Sequence, residues 1–578
     1  MKSKVNVVSV LLVLAVLIPS AMCGFPVFAA DSPATNWNDY AAAGFAGGDG
    51  TEASPYLISS AEELAYLSVY SQSNVTRDKY FRVTVHEIDL DAHQWTPIGN
   101  SAIHFTGIFD GNGAVVRNLR LENGTYDAAG CGMFARANDA TIQNLTLEVI
   151  LADPTGTNMV GTIVGSMYNA SELIDCTVSV RATASQTSVP YWGGAVGYLT
   201  GNSVIDGVNV YGTMYIVTAA GKDTHLGGVV GRTNTSNAGT KTVEIRNAVN
   251  YADIRYVRTG GGTAPLGGIV GATQHDDIAG TTTKISNCIN YGSLTVEQAT
   301  NGRVGGIVGN GGRASKGTIG TLICQNCVNA GTLTGNPTAS IIAYEESKET
   351  RLVNCFSTTA DPLYNKGTAS GAAVEGCMVG ISLETLTGAR VRIDTTDDGA
   401  SGIRFDSLID KSIYDGLTEM NGVSVELGTV IAPSANIAAV ADCHDKIAAL
   451  EAGGSSTYVA VPYKNAVWIN DQYANDDGYL ETAYYFSGAV AKIHSNNFLL
   501  DYTAVAYLKI TVDGWSFTVY ADDGVEEGSV RTDRVRSVGY VGYQAYQDGL
   551  QNAGTYSDAQ MAVLKVYSDA YTASQPEA

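Results

Sequence analysis

Residues able to do chemistry are plentiful in this sequence, but few are spaced to do it. The histidines are His86, His93, His104, His225, His275, His444 and His494. None sits at metal-ligand spacing from another, and HExxH does not occur. Cys443, His444 and Asp445 stand side by side in a stretch expected to be helical, where neighbours point different ways. Cys324-x-x-Cys327 has the form of a redox or zinc half-site, but no second pair follows it. GGDGTE at Gly47 and FDGNG at Phe109 are glycine-rich without the Lys and helix of a phosphate loop, and no GxSxG occurs in a strand-turn-helix setting. Carboxylates at Asp89, Asp91 and Asp110 could bind calcium, although turn and corner capping uses the same residues. Trp468, Tyr473, Tyr484 and Tyr485 could form a sugar-stacking surface or part of a core. No catalytic residue, resident metal or cofactor is expected.

The elements that must position these residues are repeats. A phrase reading apolar, any, Asn or Asp, small or apolar, then a β-former recurs along much of the chain. Its copies are VRNLRL at Val116, IQNLTL at Ile142, LIDCTV at Leu173, VIDGVN at Val204, IRNAVN at Ile245, ISNCIN at Ile285, CQNCVN at Cys324, LVNCFS at Leu352 and a degenerate VEGCMV at Val374. Their third positions fall at 118, 144, 175, 206, 247, 287, 326, 354 and 376. A glycine phrase interleaves with it: VGTIVG at Val160, WGGAVG at Trp192, LGGVVG at Leu226, LGGIVG at Leu266, VGGIVG at Val304 and a worn TASIIA at Thr338. Self-similarity at this period marks a solenoid.

The strand phrase is short and rich in β-formers, so it reads as a strand with one buried face. Asn suits a corner because it tolerates the left-handed conformation, and stacked Asn amides can bond between coils. The paired glycines allow positive φ or close backbone approach. One coil cannot bury its inner face alone, so neighbours must stack, with one or two layers per unit. Cys176, Cys288, Cys327, Cys355 and Cys377 share a slot filled elsewhere by Leu119, Leu145, Gly207 and Ala248. They read as small core residues, close enough between layers to oxidise. Cys324 fills the slot of Ile245 and Ile285.

Composition and charge narrow the compartment. Lys2 and Lys4 precede an apolar run over 10–18, and Val27-Phe28-Ala29 offers a cleavage site, so residues 1–29 read as a secretory signal. The run is short for a membrane anchor, and no later segment is apolar enough to span. A net charge of −23 makes nucleic acid and anionic lipid poor partners. Gly supplies 65 of 578 residues, but positionally, in a chain that is 45% apolar and so able to form a core.

Residues 30–100 read as a cap: a strand at Pro55-Tyr56-Leu57-Ile58, a helix capped by Ser59 or Ser60, and an alternating strand from Tyr80. A helix there covers the open end of the stack. The string GGDGTEASPYLI, a short helix, IDLD, WTPIG and FTGIFDGNG, then GGIVG-type repeats, resembles the GLUG-motif proteins over residues 45–379. That resemblance implies an adhesin-like bacterial surface or secreted protein with a right-handed parallel β-helix, here over residues 101–385. Some larger members of that family carry a protease domain with a zinc-binding HExxH, which this sequence lacks, so that activity does not carry over. Residues 390–572 change composition and read as an α+β module, with a helix over 436–450 and two helices near the end. SGIRF, GTVIAP and VGYVGYQAY resemble an accessory module of exported Firmicutes proteins. The expected fold is mainly β, a β-solenoid followed by an α+β domain. The expected function is adhesion to glycans or surface proteins. A polysaccharide-cleaving β-helix enzyme and an inert spacer are the alternatives.

Overall fold

The computed structural model describes residues 35–575 apart from 91–92, 220, 236–240, 275–280, 313–319, 348, 368–370, 397–399, 455–458 and 463–482. The chain is mainly β and divides into two compact units after Ile381. The residues expected to form the signal lie outside the described residues. Among the described residues, no helix is long and apolar enough to cross a membrane.

The first unit is a β-solenoid whose coils pair in parallel and in register. Leu226 aligns with Leu266, Val304 and Thr338, so the worn glycine phrase keeps its place. Ile245 aligns with Ile285, Cys324 and Leu352. Each unit of about 40 residues is therefore one layer. The glycine phrase supplies two short strands, such as His225–Gly227 and Val230–Asn234, on either side of a corner. The strand phrase supplies the third side, bent at the corner residue, as in Thr242–Arg246 and Val249–Asn250. Leu226, Val230, Ile245 and their equivalents as far as Val304, Ile342 and Leu352 are buried, so successive coils share a continuous apolar interior, whereas Thr338 and Val374 at the far end are partly or largely exposed.

The corner residues stack as the phrase suggests. Asn247, Asn287, Asn326 and Asn354 all hold positive φ. Asn287 Nδ2 donates to Asn247 Oδ1 at 3.2 Å, Asn326 to Asn287 at 3.1 Å and Asn354 to Asn326 at 3.3 Å. Two copies sit differently from the sequence expectation. Ile205 pairs with Leu173 and Ile245, so the corner there is Gly207, at φ 69°, rather than Asp206. Asn118 belongs to another column, donating to Asp89 at 2.7 Å, whereas Asn144 stacks over Asp110 at 2.9 Å. The core slot beside the corner is consequently Leu145, Cys176, Val208, Ala248, Cys288, Cys327, Cys355 and Cys377. Leu119 and Gly207 do not belong to it. All eight described cysteines are unbridged thiols.

The paired glycines avoid positive φ; they answer to close approach. A Cβ on Gly228 would lie 2.1 Å from Gly268 O, and one on Gly268 would lie 2.1 Å from Gly306 O. A second amide column was not anticipated. Asn250, Asn290 and Asn329 are fully buried, each donating to the next at 2.8 and 2.9 Å and also to a carbonyl two residues on. Buried amides need this complete pairing.

Helix α1 (Ala61–Ser71) sits with the first coils. Ser60 caps it by accepting from Glu63 N, and Leu64, Ala65 and Leu67 join the solenoid core. Trp37–Tyr40 forms a 3-10 turn, and the Trp37 indole Nε1 donates to Leu90 O at 2.8 Å.

The second unit is α+β. Leu383–Thr385 and Arg390–Arg392 both pair antiparallel with Gly402–Asp410, which also pairs with Ala483–Ala491. A second antiparallel sheet orders Val459–Pro462, Val423–Pro433, Tyr502–Val512 and Trp515–Tyr520. Its helices are α2 (Lys411–Glu419), α3 (Ser434–Ala439), α4 (Lys446–Ala452), α5 (Val538–Gln551) and α6 (Asp558–Ser574). The single helix expected over 436–450 is two. Asp445 caps α4 by accepting from Ala448 N, and buried Lys446 donates to the Val440 and Ala441 carbonyls while pairing with Asp523 at 2.7 Å. In α5, Gly542 lets Tyr567 of α6 approach to where a Cβ would be 2.4 Å away.

Candidate binding face of the solenoid

The residues flanking the glycine phrase, with Arg136 in the coil before it, form two adjacent rows along the stack; Ser166, Arg232, Pro265, Ala272 and Asn310 are buried, and the others are partly exposed. One row runs Tyr191, His225, Pro265 and Arg303, each just before its phrase. The other runs Arg136, Ser166, Tyr198, Arg232, Ala272, Asn310 and Tyr344, each just after it. The short strands hold these side chains because their neighbours along the strand are core residues.

The rows interlock through aromatic rings and guanidinium groups. Arg136 lies 4.7 Å from the Tyr168 ring centre, Tyr168 is 5.9 Å from Tyr198, and Tyr198 stacks on Tyr191 at 5.5 Å. Arg232 lies 4.9 Å over Tyr191 and donates to its hydroxyl at 2.6 Å. Further along, Arg303 lies 3.6 Å over Tyr344 and donates to Asn310 at 2.8 Å. Such cation–aromatic pairs strengthen where water is excluded. Burial pushes the Tyr198 phenol up to about 12 and raises Tyr168 as well, so both remain neutral at physiological pH. Arg232 is 6% exposed, and its Nε has no hydrogen-bond partner among the described residues. The belt thus offers half-buried ring faces beside fixed donors, the combination that binds sugar rings or flat polar groups.

The sequence candidates lie elsewhere. Tyr484 donates to Asp415 at 2.8 Å, meets Tyr414 edge-on at 5.5 Å and has Lys411 at 5.7 Å from its ring centre. Tyr485 follows it in a strand, so the two point to opposite faces and share no single surface. Trp468 and Tyr473 lie outside the described residues, as does Asp91. Asp89 accepts from Asn118, and Asp110 accepts from Asn112 N and Asn144, so both carboxylates serve corners. Among the described residues, no three His, Cys, Asp or Glu side chains gather to hold a metal. Cys324 and Cys327 are fully buried in the core.

Two other places hold polar groups together. A crevice of about 550 Å³ near the first coils is lined by Gln72, Asn100, Glu122 and Asp127. These groups are occupied: Asn100 accepts from Ala102 N and Ile103 N, Gln72 donates to Pro97 O, and Asp127 accepts from Ser101 N and Ala129 N. On the corner face, Asp175 and Asp206 fall on successive coils. Burial and the neighbouring Asp206 raise the Asp175 carboxyl, while Arg246 and Asn247 donate to Asp206 at 2.8 and 2.7 Å.

No family model matches the chain. Halomucin of Haloquadratum walsbyi is 29% identical over 167 residues, covering 27% of this chain and 2% of that protein. A protein of Evansella cellulosilytica, provisionally named a Gly-rich membrane protein, is 30% identical over 132 residues, covering 22% of this chain and 14% of its own length. Both matches therefore span a small part of the relatives. Among solved structures, a protein from Bacteroides ovatus provisionally titled an immunoglobulin A1 protease aligns at a TM-score of 0.35 and 17% identity, over 58% of this chain and 86% of that one. What these comparisons establish is similarity of part of the chain to proteins named for surface or membrane settings.

Proposed function

We propose that this is an exported, adhesin-like bacterial protein of the GLUG-motif type that binds glycans or surface proteins and catalyses no reaction. The observation that carries this reading is the partly exposed Tyr168–Tyr198–Tyr191 belt with Arg136 beside it and Arg232 buried against Tyr191. Rings and guanidinium groups fixed on a rigid, repeating scaffold suit multivalent contact with a polymer. The signal-like residues 1–29, the acidic composition and the partial likeness to halomucin all support life outside the cell.

The test is binding of the mature chain to a glycan and mucin array, run beside a reducing-sugar release assay. Binding without release is expected. Tyr191→Ala combined with Tyr198→Ala should weaken binding about ten-fold or more, because each ring contributes on the order of 1 kcal/mol of stacking. Unchanged binding in that variant, with its unfolding midpoint retained, would remove the belt from the reading. The rival is a glycan-cleaving enzyme built on Asp175 and Asp206. It is favoured if sugar is released at catalytic rates and Asp175→Asn abolishes the release.

A further inference from the structure

The second unit holds a cavity whose chemistry is the reverse of the chain's overall charge. It measures about 390 Å³ and lies between the strand Arg390–Arg392 and α5. That volume is within the range of small-ligand sites. Three arginines line it, Arg390, Arg404 and Arg536, in a chain of net charge −23, and no carboxylate is among the lining residues. Tyr540, Gln544 and Tyr556 supply aromatic and amide surface beside them.

The arginines differ in how far they are spent. Arg390 is held by a bidentate pair with Asp406, Nε to Oδ2 at 2.8 Å and Nη2 to Oδ1 at 2.9 Å. Arg536 uses Nη1 on the Thr532 and Val535 carbonyls, and its guanidinium lies 6.0 Å from the Tyr540 ring centre. Arg404 pairs across the strands with Arg390 but makes no hydrogen bond or ion pair to any described residue, and its Nε is buried without an acceptor. Burial, then the neighbouring Arg390, lowers the Arg404 guanidinium from its ordinary value, and the Asp406 carboxylate, already paired with Arg390, opposes this only in part. A half-buried cation beside other cations, with donors unfilled, is a cost that a bound anion relieves.

We propose that this cavity binds a small acid, a carboxylate or sulfate ester carried on a ring-sized body. The fork of Arg404 takes the anion, Arg536 adds charge from the other wall, and Tyr540 and Tyr556 pack the body. A guanidinium fork matches two oxygens of a carboxylate or sulfate at once, which a lysine would not do. This site is independent of the solenoid belt, and neither stands or falls with the other.

The test is calorimetric titration of the mature full chain with four probes: glucuronate, galactose 6-sulfate, and neutral glucose and galactose as matched controls. At least one acid should bind ten-fold or more tightly than its neutral partner, and binding should weaken with salt. Which acid binds distinguishes carboxylate from sulfate recognition. Arg404→Gln should weaken that binding at least ten-fold at an unchanged unfolding midpoint. Arg536→Gln, a change at the opposite wall, should weaken it less. If neither acid binds, if the neutral sugars bind equally, or if both variants bind like the parent, the proposal is wrong.

Discussion

Asn290 and Asn247 are the same residue type in the same coil phrase or the next, yet they do different work. Asn247 holds a left-handed corner at φ 54°, and its equivalent one coil earlier is Gly207. Asn290 is sealed inside, donating to Asn329 and accepting from Asn250. Asn290→Ala would take the Asn290 donor from two buried acceptors, the Asn329 amide oxygen and the Gly292 carbonyl, at about 1–3 kcal/mol each, while Asn250 keeps its bond to Ala252 O. It should lower unfolding stability by about 2–4 kcal/mol, whereas Asn247→Gly should cost less than about 1 kcal/mol; urea denaturation of both variants checks this. The corner Asn was legible because its spacing and its known tolerance of positive φ agree. The buried Asn stood equally plainly at the sixth position of IRNAVN, ISNCIN and CQNCVN. What the sequence lacked was any sign that this position faces inward, because a polar residue in an alternating strand reads as outward.

At the scale of elements, the period survived and the phase slipped. Spacing alone could not tell Asp206 from Gly207 as the corner, because VIDGVN satisfies the phrase one residue early. Register with the neighbouring coils decides it, and register is a property of the stack. The glycine phrase was legible as a corner, and of the two reasons its glycines offered, positive φ or close approach, close approach is the one that holds. Gly268 has ordinary φ and is pinned by the Gly306 carbonyl, so Gly268→Ala should destabilise by about 3 kcal/mol or more through backbone overlap. Gly44→Ala, with nothing within 4 Å of the added Cβ, should change stability by less than about 0.5 kcal/mol. Thermal melts of the pair test the claim. The aromatic belt was not legible because it does not repeat. Its residues are the ones that vary on either side of the glycine phrase: YWGGAVGY, HLGGVVGR and RVGGIVGN. In this solenoid the constant residues build the wall, and the variable ones pack against one another beside it, with Tyr191 and Tyr198 partly exposed and Arg232 and Asn310 buried.

For the whole molecule, the coils are alike but the cover over them is not. The first coils have α1 and the indoles of Trp37 and Trp95 packed into them. Toward the other end of the solenoid the coils shorten, with the corner positions 326, 354 and 376 spaced 28 and 22 residues apart against 40 between 247 and 287, and in a stacked array loss of structure begins at an end. The thiol column runs into that end. Cys288, Cys327 and Cys355 have no exposure, and Cys377 is half-buried. Burial raises Cys327 and Cys355 well above the ordinary thiol range, and contact with Cys355 raises Cys377 too, so almost no reactive thiolate exists while the layers hold. Four otherwise silent sulfurs therefore form a clock for unravelling. In rising urea, iodoacetamide should mark Cys377 first, then Cys355, Cys327 and Cys288 in turn, each peptide mass recording how far the unzipping had travelled when the reagent was quenched. Simultaneous marking of all four would mean that these coils open together.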